Sequence, residues 1–481
     1  MQFERTPLRR AITALALAGS PVFFFFGTGL HTVFWLTWLA PLPILVVVPL
    51  LSRRSALILG FAAYALGGLN LWSYSRSVVP LWLTFVIIGA PSLVFALIIS
   101  AYRRFVLNGQ TTRAIFALPV LWSAYEYLAE FLSPHSTFGN LAYTQMDCLP
   151  LIQIASITGI WSITFIVFIF PSTIAVMLAA VVTPSAPRAS KGVLWLPGTV
   201  FIFVLAYGFY RLATAPTSPR VEVALINTDK PAYPSGPAVV DLVRAYASQI
   251  LAAPTQEASV IVLPEKIGRI QGEDLAQADD ILERAARGKQ VTILAGFEHQ
   301  PKLNEARLYS PDGRLEATYE KHHMLPPFES HLLPGTARLT FALPSRDIAA
   351  KLGVEICKDM DFPLLARQNS NDGARLMLVP AWDFVADGWL HGRMAILRGV
   401  ESGFSVARAA KEGILTLSDS RGRVLAEHVT GSAPFDMLIG SLPLGSGPTF
   451  YSRTGDWFAW IDLVFAVLLF VPSRRKPINQ N

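Results

Sequence analysis

Between residues 11 and 213 the chain consists of apolar runs that follow one another almost without a break. A helix needs about 20 such residues to cross the hydrocarbon core of a bilayer. Runs near 11–26, 33–51, 55–73, 78–102, 113–132, 160–183 and 192–213 meet that length or come close to it, and an eighth lies at 457–472. Composition agrees: 52% of residues are hydrophobic and only 15% charged, against about 25% charged in soluble domains. The expectation is a multi-span α-helical membrane domain. A signal peptide at the first run is disfavoured, since no clear cleavage site ends it and further spans follow at once.

Basic residues fix the expected orientation. Arg9 and Arg10 precede the first run, and Arg53 and Arg54 lie between the second and third. Arg103, Arg104 and Arg113 lie between the fourth and fifth, and Arg188 and Lys191 between the sixth and seventh. Arg474, Arg475 and Lys476 follow the eighth. These are alternate loops, so the positive-inside rule puts both termini in the cytoplasm and residues 214–456 on the outer face. The same asymmetry largely accounts for the net charge of +6, which otherwise invites a nucleic-acid reading; no nucleic-acid partner is expected.

Residues 214–456 have a different texture. "VEVALINT" (221–228), "ASVIVLPE" (258–265), "VTILAGFE" (291–298), "LGVEIC" (352–357) and "ARLMLVP" (374–380) are short apolar runs, rich in β-branched residues, of the kind that form buried strands. Helical stretches are expected at 238–252, 273–287 and 388–402, and "SPDGR" (310–314) and "DSRGR" (419–423) read as turns between strands. Strands and helices alternating at this length point to one α/β domain. "TAPTSPR" (214–220) reads as the linker. The expected organisation is therefore 1–213 as a membrane domain of seven transmembrane helices, 214–456 as an outward-facing α/β domain, and 457–481 as a last span with a basic tail.

Three runs in that domain end in ionisable residues. Glu265 ends "VIVLPE", Lys321 follows "EATYE", and Cys357 ends "LGVEIC". Strand ends are where α/β sheets carry their sites. Together the three make a working set: a thiolate nucleophile favoured by a nearby cation, a carboxylate that takes and returns a proton, and an ammonium that stabilises an oxyanion. Cys148, the other cysteine, lies far off in sequence, so a disulfide framework is not expected. Singly, each residue reads as core or solvated loop; the trio in context is what carries weight.

That trio resembles the nitrilase, or carbon–nitrogen hydrolase, superfamily, whose members use a Glu–Lys–Cys triad on an αββα sandwich. "LPEK", "YEKHHMLPPFE" and "VEICKD" resemble the three segments that hold the triad, and "GRMAILRGVESGFSVARAAKEGILTLSDSRGRVL" (392–425) resembles the later helix and strands. In the membrane half, "LNLWSYS" (69–75), "LWSAYEYL" (121–128), "YTQMDCLPLIQIASITGIWSITF" (143–165) and "TFYSRTGDW" (449–457) resemble segments of the apolipoprotein N-acyltransferase family. The resemblance implies Glu265, Lys321 and Cys357 as the triad and Glu329, eight residues after Lys321, as a further essential glutamate. Lys358 and Asp359, which follow the thiol directly, are read as supporting residues, Lys358 adding positive charge; the resemblance implies that the turn's N–H groups help to bind an oxyanion. It also singles out Trp122 and Glu126 in the membrane domain.

The implied reaction moves an acyl chain from a phospholipid, through a thioester on Cys357, to the N-terminal amine of a diacylated lipoprotein. No cofactor is needed, because the thioester keeps the acyl group activated. The implied location is the bacterial inner membrane, with the catalytic domain periplasmic. The chain departs from the family's pattern at Lys358 and Asp359, where Cys-Tyr-Glu is usual, at Ala129, where Arg is usual, and at "STFGN" (136–140), where a Phe-Pro-Trp motif is usual. Those departures keep open a membrane-tethered amidase, or transfer to a different amine. A catalytically silent scaffold is the non-enzyme alternative, and the intact trio speaks against it. His322, His323, Glu329 and His331 suggest a metal site only weakly, since neighbours on an extended segment point to opposite faces; no metal is expected. Cys148 reads as inert, and the run Phe23 to Phe26 as lipid-facing packing.

Overall fold

The structure, a computed structural model, describes residues 7–182, 191–214, 218–255, 259–299, 302–343 and 348–472. Arg188, Arg474, Arg475 and Lys476, used above for orientation, and residues 215–217 of the linker lie outside the described residues. The chain divides into two compact units. One comprises Met1–Leu128, Trp161–Phe203 and Asp456–Asn481, the other Ala129–Ile160 and Val204–Gly455. Residues 129–160 thus cluster with the second unit.

The first unit is helical. Among the described residues, five helices are long and apolar enough to span a bilayer: Arg53–Val78, Leu81–Leu107, Thr111–Leu132, Trp161–Ala179 and Gly192–Ala213. The run near 33–51 is instead broken into Phe34–Leu39, Leu42–Val47 and the 3-10 turn Val48–Leu50. Pro41, Pro43 and Pro49 sit at those junctions, each lacking the N–H that an uninterrupted helix needs. The last apolar helix, Trp457–Leu468, has 12 residues. The helices present large apolar side chains outward, Trp82, Phe85 and Ile202 among them. The four phenylalanines divide by helical phase: Phe25 and Phe26 are exposed, whereas Phe24 is buried against Tyr64 and Phe95, with ring centroids 4.9 and 5.2 Å away. Successive residues turn about 100°, so one run cannot face lipid throughout.

Among the described residues the second unit has thirteen strands: β1 (Arg220–Asn227), β2 (Val260–Val262), β3 (Arg269–Ile270), β4 (Thr292–His299), β5 (Leu303–Tyr309), β6 (Leu315–Glu320), β7 (Leu339–Ala342), β8 (Lys351–Val354), β9 (Ala374–Trp382), β10 (Ser405–Lys411), β11 (Ile414–Ser418), β12 (Val424–Val429) and β13 (Asp436–Pro443). They form two mixed sheets, ordered β13-β1-β2-β4-β5-β6, with β3 beside β4, and β12-β11-β10-β9-β8-β7. The centres are parallel, β1-β2-β4 in one and β8-β9-β10 in the other, and the flanks antiparallel.

Strand alternation explains the layers. On β1, Val221, Val223 and Leu225 join a core with Leu352, Val354, Leu376 and Leu378 of the other sheet, while Ala224 and Ile226 join a second core with the helices Pro237–Ala252 and Gly272–Lys289. On β9, Leu376 and Leu378 face the first sheet, and Met377 and Val379 face Ala395 on the helix Gly388–Ser402. Side chains alternate faces along a strand, and strands covered on both faces are apolar throughout. That is why these runs read as unbroken hydrophobic stretches, and why the unit is an αββα sandwich. The two expected turns are present, 310–314 between β5 and β6 and 419–423 between β11 and β12.

Candidate active site

Each of the three chemical residues sits on the segment just past a strand. β2 ends at Val262, and Glu265 follows on a loop that folds back over β4. Gly296 on β4 permits this: a Cβ there would lie 2.4 Å from the Pro264 carbonyl oxygen and 2.8 Å from the Glu265 Cα. Lys266 then adopts φ +45°, in the left-handed region that non-glycine residues seldom occupy. Lys321 directly follows β6. Cys357 opens the 3-10 turn Cys357–Asp361, three residues beyond the end of β8, so the strand stops sooner than the apolar run suggests. Cys357 also has φ +45°. Strained conformations of this kind cost roughly 1–3 kcal/mol and persist where the surroundings enforce them.

Glu265, Lys321 and Glu329 are all buried, and the Lys321 ammonium joins the two carboxylates. Its Nζ donates to Glu265 Oε1 at 2.8 Å and to Glu329 Oε2 at 2.7 Å. Asn304, on β5, donates from one Nδ2 to Glu265 Oε1 at 2.6 Å and Glu329 Oε1 at 2.9 Å. Lys266 Nζ donates to Glu329 Oε1 at 2.6 Å, and the Leu325 N–H to Glu329 Oε2 at 2.9 Å. The set holds two anions and two cations, which is how buried charges are tolerated. Burial alone would depress the Lys321 pKa, but Glu265, Glu329 and Cys357 hold it well above the usual lysine value. Burial alone would raise the Glu329 pKa, but Lys321 and Lys266 pull it well below the carboxylate range.

The Cys357 side chain is partly exposed, with its Sγ 3.6 Å from the Trp382 carbonyl oxygen. Burial of the sulfur and then the charge of Glu265 push its pKa well above the ordinary thiol value, against Lys321 and Arg408, which favour the thiolate. The nearby cations do favour the thiolate, as the sequence suggests, but burial and Glu265 outweigh them. The resting group is a thiol beside a base. Arg408 is itself bound to Asp383, Nη1 to Oδ2 at 2.9 Å and Nη2 to Oδ1, both residues being buried.

Asp359 and Lys358 serve different purposes. The buried Asp359 carboxylate accepts from the Tyr319 hydroxyl at 2.8 Å, from the N–H groups of His322 and His323 at 3.1 and 2.9 Å, and from the Ile356 N–H at 3.1 Å. It therefore ties the Lys321 segment to the Cys357 turn. Lys358 is buried, and its ammonium goes to His135 Nδ1 at 2.9 Å and Asp361 Oδ2 at 3.5 Å. Burial lowers its pKa. Beyond it, His391 Nε2 lies 3.1 Å from Asp387 Oδ2, and its Nδ1 3.9 Å from Asp361 Oδ1.

Trp122 and Glu126 lie in the first unit. Trp122 is buried among Tyr64, Phe95, Tyr125 and Phe168, with centroids 4.9–6.0 Å away, and Glu126 is 9% exposed. The imidazoles weighed as metal ligands have separate engagements: His322 stacks on Tyr319, His323 on Phe362 while meeting Asp359, and His331 lies 3.6 Å from Glu298. Cys148 is partly exposed, and burial raises its pKa. Sequence reading missed Asn304, Lys266 and the Asp383–Arg408 pair. Asn304 carries no distinct signal, since its strand, LNEARLY, also holds Glu305 and Arg307.

Comparison with known proteins matches each half of the chain. Residues 16–173 match the sequence model of the apolipoprotein N-acyltransferase N-terminal domain, and residues 223–428 that of the carbon–nitrogen hydrolases. An apolipoprotein N-acyltransferase of Geobacter metallireducens is 28% identical over 92% of this chain and 92% of its own length. One of Bradyrhizobium diazoefficiens is 26% identical over 82% and 80%. Among solved structures, an amidase of the nitrilase superfamily from Nesterenkonia is similar at a TM-score of 0.40 and 20% identity, covering 52% of this chain and 99% of that one. With a multi-span membrane domain and a carbon–nitrogen hydrolase domain matched in that order, the chain belongs to the apolipoprotein N-acyltransferase family.

Proposed function

We propose that the protein is a membrane acyltransferase that carries an acyl chain from a phospholipid, through a thioester on Cys357, to the N-terminal amine of a diacylated lipoprotein. The observation that carries the reading is the Lys321 ammonium ion-paired to both Glu265 and Glu329 within electrostatic reach of the Cys357 sulfur, in a chain whose first half matches the family's own membrane domain. In this reading 1–213 is a membrane domain of seven spans, 214–456 a periplasmic catalytic domain, and 457–481 a last span and cytoplasmic tail in a bacterial inner membrane. The alternate-loop placement of arginines and lysines supports that orientation.

Glu265 takes the thiol proton as Cys357 sulfur attacks the ester carbonyl. Lys321 and the N–H groups opening the Cys357 turn stabilise the oxyanion. As the carbon–oxygen bond breaks, Glu265 returns the proton to the glycerol oxygen and lysophospholipid leaves. The acceptor amine then attacks the thioester, Glu265 takes its proton, and the departing sulfur regains it. Glu329 stays ionised and holds Lys321 and Lys266 in place. Asp359 fixes the distance between the lysine segment and the cysteine turn. No cofactor or metal enters any step. Activity is tested with purified protein, phospholipid vesicles and a diacylated lipopeptide bearing a free N-terminus. Mass spectrometry is expected to show an N-acylated product and lysophospholipid in equal amounts. Hydrolysis of small amides through Cys357, with no lipopeptide product, would replace this reading with the amidase.

A further inference from the structure

A second polar site lies within the catalytic unit and shares no residue with the one above. It is a cavity of about 220 Å3, lined by Arg211, Arg421, Tyr207 and Ser156 on its polar side and by Ile157 and Phe450 on its apolar side. Arg211 is buried, and its two donated bonds go to neutral acceptors, Nη1 to Gln153 Oε1 at 2.9 Å and Nη2 to the Val400 carbonyl at 3.2 Å. Arg421 Nε is buried and has no hydrogen-bond partner among the described residues. The two guanidinium charges are close enough to repel one another. The nearby carboxylate, Asp419, is committed elsewhere: Oδ1 accepts the Arg421 and Arg423 N–H groups, and Oδ2 accepts Arg423 Nη1 at 3.2 Å. Ser156 Oγ and the Tyr207 hydroxyl, 2.7 Å apart, add hydroxyl groups to the wall.

Two converging guanidiniums without a carboxylate of their own are a recognition surface for an oxyanion, and phosphate suits the planar fork of arginine best. The chain also gives the depth of the cavity. Arg211 and Tyr207 lie near the end of the candidate span Gly192–Ala213. At 1.5 Å of rise per residue they are roughly 3 and 9 Å from its last residue, and the headgroup layer on each side of a bilayer is about 5–7 Å thick. Ile157 and Phe450, the latter exposed, supply an apolar shoulder. We propose that this cavity binds phosphate, and that the phosphate it takes is the diester of a phospholipid headgroup in the surrounding bilayer. The site is independent of the thioester chemistry; it anchors the unit to lipid rather than presenting an ester to Cys357.

The test uses the full-length protein in detergent and native mass spectrometry with dioleoylphosphatidylglycerol, dioleoylglycerol and inorganic phosphate as separate probes. Wild type is expected to retain one more phosphatidylglycerol than R421Q, with affinity lowered about tenfold in the variant. Dioleoylglycerol, which has the chains but no phosphate, should not distinguish them. Among the described residues Arg421 gives no side-chain hydrogen bond, so R421Q is expected to melt like wild type; Y207F, which weakens the same site, is the second variant. Binding of inorganic phosphate that depends on Arg421, without any effect on phosphatidylglycerol, would overturn the lipid assignment. Equal binding of all three probes by wild type, R421Q and Y207F would overturn the site.

Discussion

Two buried charge clusters flank the Cys357 turn, and they are built to opposite ends. In the first, Glu265, Lys321, Glu329, Lys266 and Asn304 lie on segments at the sheet edge, with contacts of 2.6–2.9 Å. The Lys321 pKa is driven up and the Glu329 pKa down, so those two charges do not titrate near neutral pH. In the second, Lys358, His135, Asp361, His391 and Asp387 come from residues 129–160, the cysteine turn, and the helix Gly388–Ser402 with the residue before it, and the contacts are looser, up to 3.9 Å. Here burial and the Lys358 charge push His135 down to about 4. Burial also opposes the His391 charge, but Asp387 and Asp361 lift its pKa to about 9. Fixed charge on Lys321 and Glu329 suits oxyanion stabilisation and leaves Glu265 as the group that moves the proton. The neighbouring cluster holds the turn in place and responds to pH.

The sharpest break between the clusters is expected on activity. Cys357→Ala removes one small side chain and should abolish turnover while leaving the melting temperature nearly unchanged. Glu265→Gln and Lys321→Ala should each lower kcat by roughly a thousandfold or more, and the double variant should lose little beyond the worse single, as members of one catalytic unit do. Substantial turnover by Cys357→Ala would assign the chemistry elsewhere. Asp359→Asn comes next, because one carboxylate holds N–H groups of both catalytic segments. Hydrogen bonds to a charged group contribute about 1.5–3 kcal/mol, so a loss near that size is expected in denaturant or thermal melts, with a fall in kcat as the segments lose register. A variant as stable and active as wild type would remove Asp359 from that role.

How the site is legible in sequence follows the same division. Glu265, Lys321 and Cys357 stand out because each follows closely on a run that reads as a strand, and such strand-end signals are local. Their partners are not local. Asn304 is one of three polar residues on its strand, and nothing distinguishes it until β5 pairs with β4 and β6. The pairing of β13 with β1 joins residues more than 200 positions apart, and nothing in "DMLIGSLP" announces it. His135 meets Lys358 across 223 positions. The αββα layers, by contrast, were written in the doubly buried runs of β1, β4 and β9. The breaks at Pro41, Pro43 and Pro49 were present in the sequence but hidden beneath the hydropathy. The raised thiol pKa was unreadable, since it depends on burial of the sulfur outweighing the visible lysines.

The last expected effect concerns pH, leaves activity aside and isolates the second cluster. The His391 pKa is raised from 6.5 to about 9 in the folded protein. Its contribution is therefore complete below pH 6.5 and is lost as pH climbs through 9. The full span corresponds to an upper value on the order of 3 kcal/mol. Wild type should melt progressively lower between pH 6.5 and 9.5 relative to His391→Gln, which lacks that titration. Parallel pH profiles would show that His391 is not held charged by Asp387 and Asp361.

The most direct measurement of the central claim is the intact mass of the purified protein after exposure to phospholipid without any amine. One acyl mass should appear on Cys357, labile to hydroxylamine, absent from Cys357→Ala and from Glu265→Gln, and discharged when diacylated lipopeptide is added. A protein that gains no acyl mass from any phospholipid while retaining lipopeptide acylation would contradict the account, since the chain would then be transferring acyl groups without the thioester on which every step depends.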